Sequence, residues 1–311
     1  MGYTGGINWT YHLPRLIELK AMGYSDTETA QKLSDELNVP ISSKAVELAR
    51  TRNKVNDYLM EQDLEVPIYD FSSLPDDEDY MISCDYHAPN HSEEYINKLL
   101  LVAAKFGVRK HIIIGDLFDM DSIKFWKDGS STTLDDEIKS TKPVIKALDY
   151  FDLNYLIMGN HENRPGRQTD YKIRIKHLYH LFGKEIWEKK FRTTPYDKMG
   201  IGDDWLLIHP KSYSQCSASV AVKMAEKVHR HVLNAHGHFI AMRYDRSGKY
   251  MAIDMGGMFD RKKIRYINMS STTHPVWNSG FGMFRNKHFH HFHDGTDWDF
   301  WTGENNGKYG Y

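Results

Sequence analysis

The sequence predicts an α/β protein with a small all-helical region in front of it. Three observations predict it. From Tyr80 onward, short apolar runs alternate with amphipathic segments. The first sixty or so residues instead carry helical periodicity with helix-boundary signals. Between them "EQDLEVPIYDFSSLPDDEDY", Glu61 to Tyr80, is acidic, holds two prolines and has little period. The expected organisation is therefore a helical domain over 1–60, a linker over 61–79 and an α/β domain over 80–311.

In the helical region, Trp9 to Met22 is a periodic apolar segment closed by Gly23, a good helix stop. "SDTE", Ser25 to Glu28, has capping-box spacing and opens a second helix through Leu37. "NVPISS" turns the chain, and a third helix is expected from about Ser43 to Tyr58. Two helices, a tight turn and a third helix form a helix-turn-helix pattern. The third helix carries Lys44, Arg50, Arg52 and Lys54 against Glu47, a local basic stripe suited to phosphates, although the region is otherwise charge-balanced.

In the α/β region, "YMISCD" (Tyr80 to Asp85), "HIIIGD" (His111 to Asp116) and "YLIMGN" (Tyr155 to Asn160) read as buried strands. "DDWLLIHP" (Asp203 to Pro210) and "HVLNAHGH" (His231 to His238) read as two more, with a helix from about Ser217 to His231 between them. "FIAMRYDRSGKYMAIDMGG" reads as a hairpin turning near Ser247-Gly248. The aromatic, His-rich C-terminal stretch from Arg285 has no clear assignment. Its His288, His290, His291 and His293 fit one strand face only in part, which favours ordinary histidines over a metal site.

Composition removes several classes of function. An apolar fraction of 41% and a formal net charge of −2 suit an ordinary globular protein without a domain-wide basic surface. No apolar stretch reaches bilayer-spanning length, no signal peptide is expected, and "MGYTGG" lacks the Ser/Thr of a myristoylation signal. Two cysteines, Cys84 and Cys216, cannot build a disulfide framework, so the expected location is the reducing cytoplasm. The 17 histidines exceed what composition leads one to expect.

Polar side chains gather where these strands end. In chain order they are Asp85 and His87 in "DYH", Asp116 and Asp119 in "GDLFD", Asn160 and His161 in "GNHE", His209 in "LIHP", and His236 and His238 in "HGH". Open α/β sheets bind ligands beyond the carboxyl ends of their strands. Asp, Asn and His bind divalent transition metals through oxygen and nitrogen. An aspartate between two cations can bridge them, and a neutral asparagine oxygen adds a ligand without repelling phosphate. If the first strand continues that far, alternation sends Asp85 and His87 to one face. Each piece alone is weak: "DxH" is common, and "GDLFD" also fits a strand followed by an Asp-capped helix. The ordered set of five is hard to obtain by chance.

This set resembles the signature of the calcineurin-like metallophosphoesterases, D-x-H, G-D-x-x-D, G-N-H-E/D, H and G-H-x-H, over about Tyr80 to Gly257. Ala235 stands where that family usually has Gly, and Pro210 follows His209 in place of a small residue. The resemblance implies a four-layer sandwich, two packed mixed β-sheets flanked by helices, with a two-metal centre that hydrolyses phosphoesters. It implies one metal on Asp85, His87 and His238, a second on Asn160, His209 and His236, and Asp116 bridging. It places His161 beside the metals facing the leaving group, where it is the candidate proton donor, oriented by Asp119. Arg164 reads either as a bidentate phosphate donor or as a solvated loop residue. Glu162 reads as part of a surface turn. A mixed N/O site suits manganese, iron, zinc or nickel, and manganese is the expectation for a nuclease of this type.

The wording of "GDLFD" resembles the SbcD-type DNA-repair nucleases, and "GDLFDMDSIKFW" with "IMGNHENR" resembles phage and prophage phosphoesterases. The first reading is therefore a nuclease or phosphodiesterase whose helical region holds DNA. The second is a phosphomonoesterase or cyclic-nucleotide phosphodiesterase whose helices serve oligomerisation or a partner. The third is a DNA-binding protein with a vestigial site, disfavoured because every ligand type is present.

Overall fold

Three short runs of Ile, Leu, Met and Tyr set the centre of the structure, a computed structural model that describes residues 9–21, 24–52, 73–124, 132–264 and 276–303. Strand β1 (Tyr80–Ser83) lies parallel to β2 (Lys110–Ile114), β2 to β3 (Leu153–Ile157), and β3 to β4 (Phe191–Thr193). The parallel set needs crossovers, supplied by α4 (Glu93–Phe106), α5 (Leu134–Leu148) and α7 (Ile175–Lys190). The C-terminal stretch without an assignment forms a hairpin, β10 (Gly280–Arg285) and β11 (His288–His293), and β10 adds antiparallel to β1. The six strands run in the order β11-β10-β1-β2-β3-β4.

The second sheet runs β5 (Lys198–Ile201), β6 (Trp205–Ile208), β7 (His231–Asn234), β9 (Met251–Met255) and β8 (Ile240–Tyr244), with β6, β7 and β9 mutually parallel. The expected hairpin is β8–β9. Alternate residues of both sheets, among them Ile82, Ile114, Ile157, Leu207, Leu233 and Ile253, form one buried layer between them. The opposite face of the first sheet packs on α4, α5, α7 and α9 (Trp298–Thr302) through Leu99, Ile113, Leu148 and Phe182. Outside the second sheet, α8 (Ser219–Val228) covers Ile208, Val232 and Ala252. Helix, sheet, sheet and helix make four layers, with the parallel strands of both sheets ending toward one edge.

Several boundaries differ from the sequence reading. β1 stops at Ser83 and β7 at Asn234, so "DYH" and "AHGH" are loops beyond strand ends. α8 starts at Ser219 and ends at Val228, where His229 takes a left-handed cap.

The chain divides into Met1–Ile68 and Tyr69–Tyr311. In the first unit α1 (Trp9–Ala21), α2 (Asp26–Leu37) and α3 (Ser43–Arg52) share a core of Leu16, Leu19, Ala30, Leu33, Val46 and Ala49. The Ser25 capping box forms, the hydroxyl accepting from Glu28 N and Glu28 accepting from Ser25 N. Gly23, the stretch 53–58 expected to finish the third helix, and most of the expected linker (61–72) lie outside the described residues. Among the described residues no helix is long and apolar enough to cross a membrane.

Candidate metal centre

Two loops run side by side beyond β1 and β2. Asp85 N donates to Gly115 O (3.1 Å), His87 N to Asp116 O (3.0 Å) and Ala88 N to Leu117 O (3.0 Å). The strand alternation expected for "DYH" is not what aligns Asp85 with His87. Both take left-handed backbone, at φ 51° and 46°, as do Asp116 (51°), His236 (69°) and His238 (59°). Such conformations cost non-glycine residues free energy and collect at functional sites. Here they turn five side chains inward from loops that strand geometry would splay. Glycines allow the close approach: a Cβ on Gly115 would lie 2.6 Å from His209 Nδ1, and one on Gly159 would strike Asp116 Oδ1.

The side chains converge into overlapping groups, Asp85–His87–His238, Asp116–His209–His236 and His87–Asp119–His161. His87 Nε2 faces His238 Nε2 at 3.1 Å, and His238 Nε2 lies 3.2 Å from Asp85 Oδ1. In the second group His209 Nε2 is 3.3 Å from Asp116 Oδ2 and 3.0 Å from Asn160 Oδ1. His209 donates from Nδ1 to Ile114 O (2.8 Å), which leaves the Nε2 lone pair for the cluster.

The main chain holds Asp85 and Asp116 by one oxygen each. His236 N donates to Asp85 Oδ2 (3.1 Å) and His161 N to Asp116 Oδ1 (2.9 Å). That leaves Asp85 Oδ1 toward the histidines, and Asp116 Oδ2 buried without a hydrogen-bond partner. A buried carboxylate oxygen and imidazole lone pairs aimed at one point are costly unless a cation satisfies them. The donor set, carboxylate, amide oxygen and imidazole, is one that divalent transition metals accept. Against the burial that opposes it, the nearby histidines hold Asp85 down at about 2, and Asp116 is lowered as well. Burial takes His236 down to about 4 and lowers His238, so both are neutral, as ligands must be. His209 goes the other way: Asp116 and Asp85 outweigh its burial and raise it to about 10. A cation there would oppose that proton.

His161 stands at the edge of this cluster, its ring 4.4 Å from that of His87. Its Nδ1 is 2.7 Å from Asp119 O and 3.0 Å from Asp119 Oδ1, both acceptors, so Nδ1 carries a proton. Asp119 also faces His87 Nδ1 (3.3 Å) and accepts from Asn90 Nδ2 (2.8 Å). Histidines and hydrogen bonds keep Asp119 well below the usual carboxylate range despite its burial. Arg164, the first residue of α6 (Arg164–Gln168), is no free loop cation: it donates from Nη1 to Asp119 O (2.6 Å).

Glu162 overturns the surface-turn reading. It is 1% exposed and accepts from Asp116 N (2.9 Å), Gly159 N (3.0 Å) and Phe118 N (3.1 Å), tying "GDLFD" to "GNHE". Burial and the charge of Asp116 push it up to about 7, against those three N–H donors. Its position after "GNH" was the available signal, but an acid in a Gly-Asn turn reads as solvated until the two loops are seen to meet.

All seven expected ligands thus come from five loops to one place, between two packed mixed sheets. The four layers are those that the sequence resemblance implies, two packed mixed sheets flanked by helices. No protein-family model matches the chain, and no curated protein sequence does. It is similar in structure to YfcE, a phosphoesterase from E. coli, at 13% identity, covering 67% of this chain and 88% of that one with a TM-score of 0.34. It is also similar to the Pseudomonas putida nuclease MPE, at 12% identity, covering 68% and 87% with a TM-score of 0.29. Likeness at that level adds no weight to the chain's own residues.

The basic stripe belongs to the helical unit and is partly consumed there. Arg50 Nη1, part of the stripe expected to suit phosphates, pairs with Asp26 (3.0 Å) in a half-buried contact, and Lys44 pairs with Glu47 (2.9 Å) at the surface. The Arg52 side chain and Lys54 lie outside the described residues. Among the described residues the tail histidines form no metal cluster; His291 Nε2 instead bonds Met255 O (3.2 Å).

Proposed function

We propose that this chain is a metal-dependent phosphoesterase that cleaves phosphodiester bonds of nucleic acid. The observation that carries the reading is the convergence on Asp116 Oδ2, a buried oxygen without a hydrogen bond of good geometry, of His209 Nε2 at 3.3 Å and His161 Nε2 at 3.8 Å, with Asn160 Oδ1 on the same His209 nitrogen. Asp85, His87 and His238 would hold one divalent cation, and Asn160, His209 and His236 a second, with Asp116 facing both. When bound, such a pair supplies Lewis-acid charge for the phosphoryl oxygens and makes water acidic enough to attack near neutral pH.

The chain's own residues supply the rest. His87 is fixed by Asp119, and His209 by the Ile114 carbonyl, so neither ring rotates out of position. Because Nδ1 of His161 is the protonated nitrogen, its Nε2 accepts from Arg164 Nη2 at 3.0 Å. In our reading Arg164 moves onto a non-bridging phosphate oxygen when substrate arrives. His161 Nε2 is then free to take a proton from solvent water and deliver it to the leaving oxygen. Manganese is the metal we favour for the pair, and a cytoplasmic enzyme the setting.

The test is hydrolysis by purified protein of single- and double-stranded DNA, RNA, a generic diester and a generic monoester. Chelator should abolish the activity and manganese restore it. Cleavage of the monoester alone would replace the nuclease reading by the phosphomonoesterase one. The Arg50–Asp26 pair favours a second reading for the helical unit: it spends on internal contacts the charge a DNA-binding helix would present, as an oligomerisation or partner module would.

A further inference from the structure

Away from the metal cluster, the described residues of this unit cover the outer face of the second sheet only in part. α8 seals β6, β7 and β9, while a cavity of about 760 Å³ lies open between α8 and the edge strand β5. Its floor is apolar, made by Leu206 and Ile208 of β6 with Met224 and Val228 of α8. Around it stand three cations, Lys198, Lys227 and Arg230, against the single carboxylate of Asp197. Among the described residues none of the three cations has an ion pair, unlike Lys44 and Arg50. Tyr196, 39% exposed, adds an aromatic face at the rim.

The cavity adjoins the catalytic edge. Pro210, one of its walls, directly follows His209, and Asp197 O accepts from His209 N at 2.8 Å. Tyr196 O likewise accepts from Met158 N (2.8 Å), two residues before Asn160. The groove wall is thus one residue along the chain from a candidate ligand, His209, and hydrogen-bonded to its main chain.

We propose that this groove binds the single-stranded flank of a nucleic-acid substrate, phosphates on Lys198, Lys227 and Arg230 and bases on the apolar floor and Tyr196. The proposal rests on the phosphodiesterase reading and extends it to a substrate longer than one linkage. The floor selects the strand type: base faces are open in a single strand, whereas a duplex offers the groove only its phosphates. Four aliphatic side chains beneath three unpaired cations suit the former.

The experiment uses the full chain and a fluorescein-labelled oligodeoxythymidylate, with Lys198, Lys227 and Arg230 replaced together by Gln. Affinity should fall at least tenfold, and the slope of log affinity against log salt should drop by about 2, at roughly 0.7 per lost phosphate contact. Manganese-supported hydrolysis of bis(p-nitrophenyl) phosphate, too small to reach the groove, should be unchanged. Unchanged oligonucleotide affinity and salt slope would overturn the proposal. So would a duplex of equal length that binds as tightly and loses as much in the variant. Failure of the wild-type protein to hydrolyse any phosphoester would instead remove the phosphoesterase reading, whatever the binding result.

Discussion

Arg164 Nη2 lies 3.0 Å from His161 Nε2, while Arg164 Nη1 and His161 Nδ1 both reach the Asp119 carbonyl, at 2.6 and 2.7 Å. One main-chain oxygen thus orients a cation and an imidazole together, with the imidazole 3.8 Å from Asp116 Oδ2. The guanidinium occupies the nitrogen that a leaving oxygen would need.

A leaving-group test follows. His161→Asn should keep its metals and lower turnover of DNA, whose 3′-oxygen is a poor leaving group, by about 10²–10⁴. A nitrophenyl diester should be barely affected. Arg164→Ala, by contrast, should raise KM for both substrates. Equal kcat losses for His161→Asn on both would show a phosphate-binding role, and metal loss would make His161 a ligand.

Metal removal should inactivate the protein reversibly, and elemental analysis of active protein should find about two divalent ions per chain. Asp116→Asn should cost more activity than His87→Ala, since Asp116 is the residue proposed to face both ions. One ion per chain at full activity would end the two-metal description.

Glu162→Gln turns one acceptor oxygen into an NH₂ group facing main-chain N–H donors. Thermal unfolding should show a loss of about 3 kcal/mol, on the scale of breaking charge-assisted hydrogen bonds in a core. Metal affinity should fall with it, because Glu162 sets the distance between the Asp116 and Asn160 loops. An unchanged melting temperature would return Glu162 to the status of an ordinary turn residue.

Acid should weaken the fold through His111, remote from the metal cluster. It sits fully buried between Ser83 (2.7 Å) and Asn154 (2.9 Å), stacked on Phe151, and burial depresses it from 6.5 to about 4. Below pH 6.5 the unfolded chain takes up a proton that the folded chain refuses. Stability is therefore complete above about 6.5 and falls as pH drops toward 4, by about 3 kcal/mol from this residue. Denaturant titrations at several pH values should show a shallower acid slope in His111→Gln than in wild type.

Deleting residues 1–68 should leave hydrolysis of a small chromogenic diester intact, since every ligand lies in Tyr69–Tyr311. DNA binding should weaken under the nuclease reading. A loss of oligomeric state with DNA affinity unchanged would assign the helices to partner binding.

The sequence by itself determined the strands and the candidate ligands. Ile112 to Ile114 and Tyr155 to Ile157 read as buried strands because continuous apolar runs have no solvated face to offer. Asp85, His87, Asp116, Asn160, His209, His236 and His238 were legible because metal chemistry restricts residue type and each follows such a run. The tertiary structure decided what depends on two loops meeting. Glu162 is a buried tie because Asp116, Gly159 and Phe118 bring their N–H groups to it, from residues up to 46 positions away. "DYH" points inward because its backbone turns left-handed against the β2 loop, and no alternation pattern encodes that. The C-terminal hairpin owes its place to pairing with β1, and Arg50 owes its partner to a neighbouring helix. Local pattern records what a residue prefers; which distant group arrives to satisfy it is a property of the folded chain.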